Sequence, residues 1–203
     1  ATNDSGSTQA QVALAVFRPP STWFTPVYEN DHTPVFGSPD YFDLFSPTAP
    51  WPNAAAHVSV FKMYAGTLDT YDDASMRNMF ADLKRRHIAL AIEWGPLVAD
   101  TGCGSGIEGF GSPGTGLHYA QRIRDLGGTL QYVAFDEPFQ HASYLNAIPG
   151  ACLWSAQQVA HNAAQHVAEI RTIFPDVVVG DIEVVPDADT PDTWLAAYEQ
   201  WFD

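Results

Sequence analysis

Four apolar runs of strand length are the feature that most constrains the fold of this chain. They are HVSVFKMY (57–64), HIALAIEW (87–94), LQYVAFDE (130–137) and VVVGDIEVV (177–185). Each run is almost continuously apolar instead of alternating with polar residues, which is typical of parallel strands covered on both faces. The runs therefore predict four strands of one buried parallel sheet.

Amphipathic helical patterns lie between and after these runs. Two apolar stripes that recur every three or four residues predict helices; they are formed by Met76, Met79, Phe80 and Leu83, and by Val159, Ala163, Val167, Ile170 and Phe174. Asp72-Asp73 are cap candidates before the first stripe, and Ser155 with Gln158 forms a capping box before the second. Two further helices are predicted over 117–126 and from Thr190-Pro191 onward.

Strict alternation of strand and helix indicates βαβ units, which build either a (β/α) TIM-barrel-like sheet or a doubly wound sheet. The segment TGCGSGIEGFGSPGTG (101–116) is rich in glycine, but it does not lead directly into a helix as the G-x-G-x-x-G turn of nucleotide-binding sheets does. Every run also carries polar or aromatic residues at or near its end, where barrel active sites are built. We therefore predict an α/β fold with a TIM-barrel-like parallel sheet.

A complete barrel takes about 250 residues, whereas this chain has 203. We expect one barrel-type domain over 1–203 that is incomplete and continues beyond residue 203; the alternatives are half-barrels that associate and an open sheet. Within it, residues 1–53 are rich in proline and aromatic residues and are expected to form an ordered wrap. The regular features predicted in this wrap are a short strand near Thr22-Trp23-Phe24 and turns around Ser38-Pro39.

The charge of the chain restricts its partners. Nine Lys and Arg against 24 Asp and Glu give a formal net charge of -15, which repels phosphate backbones and anionic lipid heads. No stretch reaches the ~18 apolar residues of a membrane span. We therefore expect neither a nucleic-acid nor a membrane partner, and a neutral ligand or a cation fits this acidic protein better.

The two cysteines, Cys103 and Cys152, allow a single disulfide bond. Both follow predicted neighbouring strands, in long loops at the same edge of the sheet, where few regular contacts are available to fix a loop. We expect them to be bonded, with two free thiols as the alternative. A bond would imply an oxidising compartment, so the protein is expected to be secreted or periplasmic.

Chemically active side chains stand at the ends of the four predicted strands. They are Lys62 and Tyr64, Glu93 and Trp94, Asp136 and Glu137, and Asp181 and Glu183. Because the carboxyl ends of parallel strands share one edge of the sheet, we expect Lys62 and the three glutamates of this set to converge on one cleft. The structural alternatives are an ion pair between Lys62 and Glu93 and a loop-capping role for Asp181.

The strand that ends in Asp136-Glu137-Pro138 resembles the Asn-Glu-Pro exit of a large clan of retaining glycoside hydrolases with a barrel fold. The segments YFDLFSPTAPWPNAAAHVSVFKMY and CGSGIEGFG also resemble secreted bacterial proteins of glycosidase-like barrel fold, so the resemblance spans most of the chain. It implies that Glu137, on the fourth strand if Trp23 supplies the first, is the general acid/base. Asp136 departs from the clan's Asn, which holds the sugar 2-hydroxyl; an Asp accepts that bond but cannot donate. The clan's nucleophile, a Glu on the seventh strand, would lie beyond Asp203.

A glycosidase needs one protonated and one ionised carboxyl group, ~5–5.5 Å apart for retention of anomeric configuration and ~6.5–9.5 Å apart for inversion. Neighbouring strands lie ~4.8 Å apart, so Glu137 and Glu183 can form the shorter pair within this chain. Asp181 and Glu183 offer a second pair, because their spacing puts both side chains on one face of a strand. This second pair resembles the Asp-x-Glu of substrate-assisted chitinases.

Aromatic side chains and a histidine are predicted to complete the cleft. Sugar rings stack on aromatic faces, and the predicted substrate-binding set is Trp23, Tyr64, Trp94, Trp154, Lys62, Glu93 and His141. No H-x-x-x-H or H-E-x-x-H pattern occurs among the seven histidines, so neither a metal nor another cofactor is predicted. In a metal-dependent alternative, His141 would be a ligand together with Glu137 and Asp181.

The sequence thus favours a secreted, cofactor-free carbohydrate-active enzyme of glycoside hydrolase type, which uses Glu137 as general acid/base on an oligo- or polysaccharide. Two alternatives stay open. One is a non-catalytic extracellular protein that binds glycans or self-assembles through its N-terminal wrap. The other is a metal-dependent hydrolase.

Overall fold

Five parallel strands form the main sheet of the protein. The computed structural model describes residues 21–26, 40–145, 149–184 and 192–202. In chain order the elements are β1 (Trp23–Phe24), a 3₁₀ helix (Tyr41–Phe45), α1 (Pro52–Ala55), β2 (Val60–Tyr64), α2 (Thr67–Thr70), α3 (Asp73–Arg86), β3 (Ala89–Trp94), β4 (Leu97–Val98), β5 (Phe110–Gly111), α4 (Thr115–Asp125), β6 (Leu130–Asp136), α5 (Pro138–Ala142), α6 (Ala156–Arg171), β7 (Val178–Ile182) and α7 (Asp192–Phe202). The predicted alternation of strands and helices is confirmed.

The strands are arranged in the order β1-β2-β3-β6-β7, and all four pairings are parallel. This order follows the chain in one direction, whereas a doubly wound sheet reverses direction from its middle. Right-handed crossovers in a single direction place the helices on one face of the sheet. The described strands therefore have the winding of a TIM-barrel-like sheet, and together they form an open sheet and not a closed barrel.

The apolar core lies between the sheet and its helices. Phe61 and Met63 of β2 are fully buried in one cluster with Met76 of α3, and burying a side chain of this kind stabilises a fold by ~1.5–3 kcal/mol. Lys62 and Tyr64 alternate with these residues, so they point to the opposite face of the sheet. The sheet thus has a helix-covered apolar face and an open face that carries polar side chains.

Local sequence signals fix the ends of the two longest helices. Asp72 accepts two backbone hydrogen bonds at the start of α3, and Ser155 with Gln158 forms the predicted capping box before α6. Helix α3 ends at Arg86, and the residue that caps it, His87, has a φ of 59°. The apolar run that begins at His87 therefore becomes strand only from Ala89 onward.

The crossover from β3 to α4 carries a small second sheet, in which β4 pairs with β5. The predicted disulfide bond is confirmed: Cys103 and Cys152 are bonded, with their Cα atoms 4.9 Å apart. The backbone amide of Gly104 also donates to the carbonyl of Gly150 at 2.8 Å. The loop after β3 is thereby joined to the segment between α5 and α6.

Parts of the predicted organisation lie outside the described residues. These are most of the wrap over 1–53, the turns around Ser38-Pro39 and the start of the last helix at Thr190-Pro191. The short strand at Trp23 is confirmed, and helix α5, directly after β6, was not predicted. None of the helices in the described ranges is long and apolar enough to cross a membrane.

Candidate active site

The register of the sheet decides which predicted site residues share a face. Residues paired across neighbouring parallel strands point to the same face, as do residues two apart in one strand. Tyr64 pairs with Glu93, and Glu93 pairs with Ala134. Lys62 is two residues before Tyr64 in β2, and Asp136 is two residues after Ala134 in β6, so both point to the same face as these pairs. Four predicted site residues therefore lie on the open face: Lys62, Tyr64, Glu93 and Asp136.

The intervening residues lie on the face that the helices cover. Trp94 pairs with Phe135, and Phe135 pairs with Asp181. Trp94 is 8% exposed and packs edge to face against Phe135 and against Tyr119 of α4. Trp94 therefore belongs to the core and not to the cleft that the sequence suggested, and Asp181 likewise turns away from that cleft.

Lys62 and Glu93 form an ion pair on the open face. Their side chains are 13% and 7% exposed, and burial lowers the pKa of Lys62, against the opposing effect of the Asp136 carboxylate. This ion pair is the structural alternative that the sequence offered for the two residues. Removing either partner would leave a buried charge unpaired, so each holds the other in place.

Asp136 is the last residue of β6 and is partly buried. Burial raises the pKa of its carboxyl group, and the carboxylates of Glu108 and Glu137 raise it further, while Lys62 and His141 act in the opposite direction. Asp136 therefore holds its proton to higher pH than an ordinary aspartate. Asp136 therefore interacts electrostatically with Lys62 and also with Glu108 and Glu137 beyond the end of the strand.

Glu137 lies where the chain leaves the sheet. It has a φ of 46° and immediately precedes α5, which begins at Pro138. A left-handed conformation is uncommon for a residue other than glycine, and it turns the chain abruptly from strand to helix. The Glu137 carboxylate, 28% exposed, lies 2.9 Å from Nε2 of His141. Glu137 is thus an accessible carboxylate that a histidine holds at the rim of the sheet.

Glu108 joins this group from the loop between β4 and β5, although the sequence pattern had not singled it out. Its carboxylate is 62% exposed and lies 3.4 Å from Nε2 of His141. Glu108, Glu137 and His141 each offer one atom within 4.8 Å of the others. The only signal in the sequence is one acidic residue within the glycine-rich segment GIEGF, and nothing local predicts that this segment packs over the end of β6.

The same three groups have a spacing that suits a divalent cation. One imidazole nitrogen with two carboxylates is a donor set that Zn²⁺ or Mn²⁺ accepts. The metal-dependent alternative had combined His141 with Glu137 and Asp181. In the structure Glu108, and not Asp181, lies with His141 and Glu137. The side chain of Asp181 points to the helix-covered face.

Asp181 and Glu183 form a second acidic pair, on the helix-covered side of β7. Asp181 accepts a hydrogen bond from Nε1 of Trp201 in α7 at 2.6 Å. Glu183 accepts hydrogen bonds from the backbone amides of Phe139, at 2.6 Å, and of Gln140, at 3.1 Å, in the first turn of α5. The pair therefore connects β7 to α5 and α7, and Glu183 does not line the open face.

The acidic pair holds protons at unusually high pH. Burial raises the pKa of Asp181 to about 6 and that of Glu183 to about 8. The charge of Asp181 adds to the effect on Glu183, and the Glu137 carboxylate raises the pKa of both. Since the two groups interact strongly, they titrate as a unit and retain a proton at neutral pH.

The free energy of unfolding is expected to fall as the pH rises from about 4 to about 8. Both pKa values are raised in the folded state, so the stabilisation is complete below the ordinary values of 3.8 and 4.5 and is lost as the pH passes about 6 and then about 8. The slope reaches ~1.4 kcal/mol per pH unit for each proton involved. Urea unfolding, followed by tryptophan fluorescence at a series of pH values, measures it.

The variant Glu183→Gln tests whether Asp181 and Glu183 cause this pH dependence of the free energy of unfolding. Glutamine keeps an acceptor for the amides of α5 and cannot ionise, so we expect a flatter profile and a higher free energy of unfolding than wild type above pH 8. Glu199→Gln, on the exposed side of α7, is the matched control and should reproduce the wild-type slope. Parallel profiles for Glu183→Gln and wild type would contradict the assignment.

Two of the four predicted aromatic residues, Trp23 and Tyr64, lie on the open face. Trp23 is 40% exposed and its ring centroid is 5.3 Å from that of Tyr132. The ring of Tyr64 lies 5.1 Å from Nζ of Lys62, and Trp154 packs against β5. A cavity of about 440 Å³ on the open face is lined in part by Trp23, Tyr132 and Lys62.

No protein-family model matches this chain, and no curated protein matches it. Solved structures similar to it include D-psicose 3-epimerase from Clostridium cellulolyticum H10 with D-tagatose, at 14% identity over 70% of this chain and 46% of that one, with a TM-score of 0.40. An inactive double mutant of MUTB matches at 12% identity over 79% and 44% of the two chains, with a TM-score of 0.39. The virulence factor SghA with its substrate analogue salicin matches at 15% identity over 79% and 42%, with a TM-score of 0.36. The chain spans less than half the length of each of these proteins.

Proposed function

We propose that this protein is a carbohydrate-active enzyme, a glycoside hydrolase of barrel type that uses Glu137 as its general acid/base. The observation that carries the proposal is the position of the Glu137 carboxylate. It is partly exposed at the carboxyl end of β6, 2.9 Å from Nε2 of His141, and the carboxylates of Asp136 and Glu108 are its neighbours. Barrel enzymes build their active sites at this edge of the sheet.

Acid/base catalysis at a glycosidic oxygen requires a carboxyl group that reaches the substrate in a fixed orientation. Glu137 is accessible at the rim, and the contact with His141 restricts its side chain. These features support a role in which Glu137 delivers a proton to the leaving oxygen and later removes one from water.

The open face of the sheet supports the assignment of a sugar substrate. Its cavity of about 440 Å³ is in the usual size range for small-molecule sites. Trp23 and Tyr64 offer aromatic surface for the apolar faces of sugar rings. Lys62, Glu93 and Asp136 offer charged groups that bind hydroxyls.

The disulfide bond supports a site of action outside the cytoplasm. A bond between Cys103 and Cys152 persists in an oxidising compartment and is rare in the cytosol. The net charge of -15 disfavours nucleic acid and anionic lipid as partners. The proposal is therefore a secreted or periplasmic enzyme that acts on an oligo- or polysaccharide.

Hydrolysis of a panel of aryl glycosides and polysaccharides tests the proposal. We expect release of the aryl group or of reducing ends from at least one member, with the same rate in the presence of EDTA. Loss of the activity in EDTA, with recovery in Zn²⁺ or Mn²⁺, would replace the proposal with a metal-dependent hydrolase at Glu108, Glu137 and His141. Glycan binding without any hydrolysis would instead favour the non-catalytic alternative.

A further inference from the structure

The proposed hydrolase requires a second carboxylate opposite Glu137. The sequence offered Glu183 for this role, or a residue beyond the end of the chain. The Glu183 carboxylate is engaged by the backbone amides of Phe139 and Gln140, and it lies on the helix-covered side of β7. Among the described residues, a second carboxylate near Glu137 therefore has to come from another element that reaches the rim of the open face.

Within the described ranges, Glu108 has a carboxylate that lies close to that of Glu137 at the rim of the sheet. Nε2 of His141 lies between the two, 2.9 Å from the Glu137 carboxylate and 3.4 Å from that of Glu108. The nearest oxygens of Glu108 and Glu137 are within 4.8 Å of each other. Glu108 is also the more exposed of the two, at 62% against 28%. A substrate that approaches from solvent therefore meets both carboxylates.

The loop that carries Glu108 is fixed in this position by its backbone. A Cβ on Gly109 would lie 3.3 Å from the carbonyl oxygen of Asp136 and 3.4 Å from that of Glu137, and Gly109 has a φ of 82°. A Cβ on Gly95 would lie 2.7 Å from the carbonyl oxygen of Gly109. Glycine at 95 and 109 thus lets the loop pack directly on the ends of β3 and β6, which orders the site before substrate binds.

Covalent and hydrogen-bond contacts secure the same loop further from the site. Cys103 is bonded to Cys152, and the amide of Gly104 donates to the carbonyl of Gly150. The backbone amide of Leu97 donates to the carbonyl of Gly109 at 3.0 Å. A surface glutamate on an ordinary loop has none of these restraints.

We propose that Glu108 is the catalytic nucleophile of a retaining glycosidase in which Glu137 is the acid/base, an inference that rests on the proposed function. Retaining enzymes place their two carboxyl groups ~5–5.5 Å apart, whereas inverting enzymes leave ~6.5–9.5 Å for a water molecule. One oxygen of Glu108 lies within 4.8 Å of one oxygen of Glu137, which is too close for the inverting class and favours the retaining class. His141 is a positioning residue for both carboxylates.

The reaction proceeds through two displacements that balance in atoms and charge. In the first, an oxygen of Glu108 forms a bond to the anomeric carbon, the bond to the leaving oxygen breaks, and the proton of Glu137 passes to that oxygen. In the second, the Glu137 carboxylate removes a proton from water, whose oxygen displaces Glu108 from the anomeric carbon. The sugar product has the configuration of the substrate, and both carboxyl groups return to their initial states.

Mechanism-based labelling tests the assignment of Glu108. Wild-type protein is incubated with the 2-deoxy-2-fluoro glycoside, bearing an activated leaving group, of the sugar identified in the hydrolysis screen. We expect the intact mass to increase by one 2-fluoroglycosyl group, and the label to map to the peptide that contains Glu108. Glu108→Gln should abolish labelling and turnover, while Glu199→Gln should label like wild type.

Proton NMR of the first product formed gives the second readout. The anomeric configuration is expected to be retained, and azide is expected to rescue Glu108→Ala with formation of a glycosyl azide of inverted configuration. An inverted hydrolysis product, or an ester on a carboxylate other than Glu108, would overturn this inference while leaving the proposed function intact. Absence of hydrolysis by wild type across the panel would overturn the proposed function itself.

Discussion

Replacing Glu137 with glutamine is expected to lower glycoside turnover by ~10²–10⁴, the usual contribution of a general acid/base. Glutamine has nearly the same shape and leaves the chain free to adopt the φ of 46° at this position, but it cannot donate a proton to the leaving oxygen. The ratio kcat/KM on the best substrate from the hydrolysis screen measures the loss. Unfolding in urea shows separately whether the variant is as stable as wild type.

The dependence on the leaving group distinguishes acid catalysis from a general disturbance of the site. A dinitrophenolate leaves without protonation, so glycosides of this phenol should lose much less turnover in Glu137→Gln than alkyl glycosides do. Glu199→Gln, an identical chemical change on the exposed side of α7, should leave turnover of both substrates unchanged. An equal loss on both classes of substrate would show that Glu137 acts other than as the acid.

Replacing Cys103 and Cys152 with serine is expected to lower the free energy of unfolding by about 4 kcal/mol. The bond closes a segment with a sequence separation of 49, and the loop-entropy model gives a value of this size for such a segment. The double variant is compared with wild type by urea unfolding. Wild type reduced with dithiothreitol provides the same comparison without a change of sequence.

The same disulfide variant also tests the connection between the loop and the active site. Because Glu108 is on the loop that the bond anchors, turnover should fall in the double variant under conditions in which it remains folded. Cleavage of the loop by protease should become faster. A loss of less than about 1 kcal/mol, with unchanged turnover, would mean that the β4–β5 pairing and the contact of Gly109 with β6 hold the loop without the bond.

The locally encoded features of the fold followed from the sequence. The four strands, the helices α3, α4 and α6 and the capping box at Ser155 were predictable, because each depends on the spacing of apolar residues and on caps within a few positions. The disulfide was predictable because the two cysteines had to lie in loops at the same edge of the sheet. The ion pair of Lys62 with Glu93 was available as an alternative, since neighbouring strands bring the two residues together.

Only the tertiary structure shows which face of the sheet each strand-end residue occupies. Asp136 is the last residue of β6 and Asp181 the last but one of β7, yet the register places Asp136 on the open face and Asp181 under α7. A shift of one residue in strand pairing exchanges the two faces, and the nearly continuous apolar runs of the sequence do not fix that register locally. For the same reason Trp94 was expected in the cleft and lies in the core.

The sequence by itself determined a parallel sheet with polar groups at its carboxyl edge, because strand and helix periodicity and the residues that end each run are local properties. Only the tertiary structure decided which of those groups meet. The left-handed turn at Glu137, the glycine contact of Gly109 with β6 and the disulfide-linked loop bring Glu108 to His141. Glu108 and His141 belong to separate crossovers, so the geometry of their contact depends on the packing of the whole sheet.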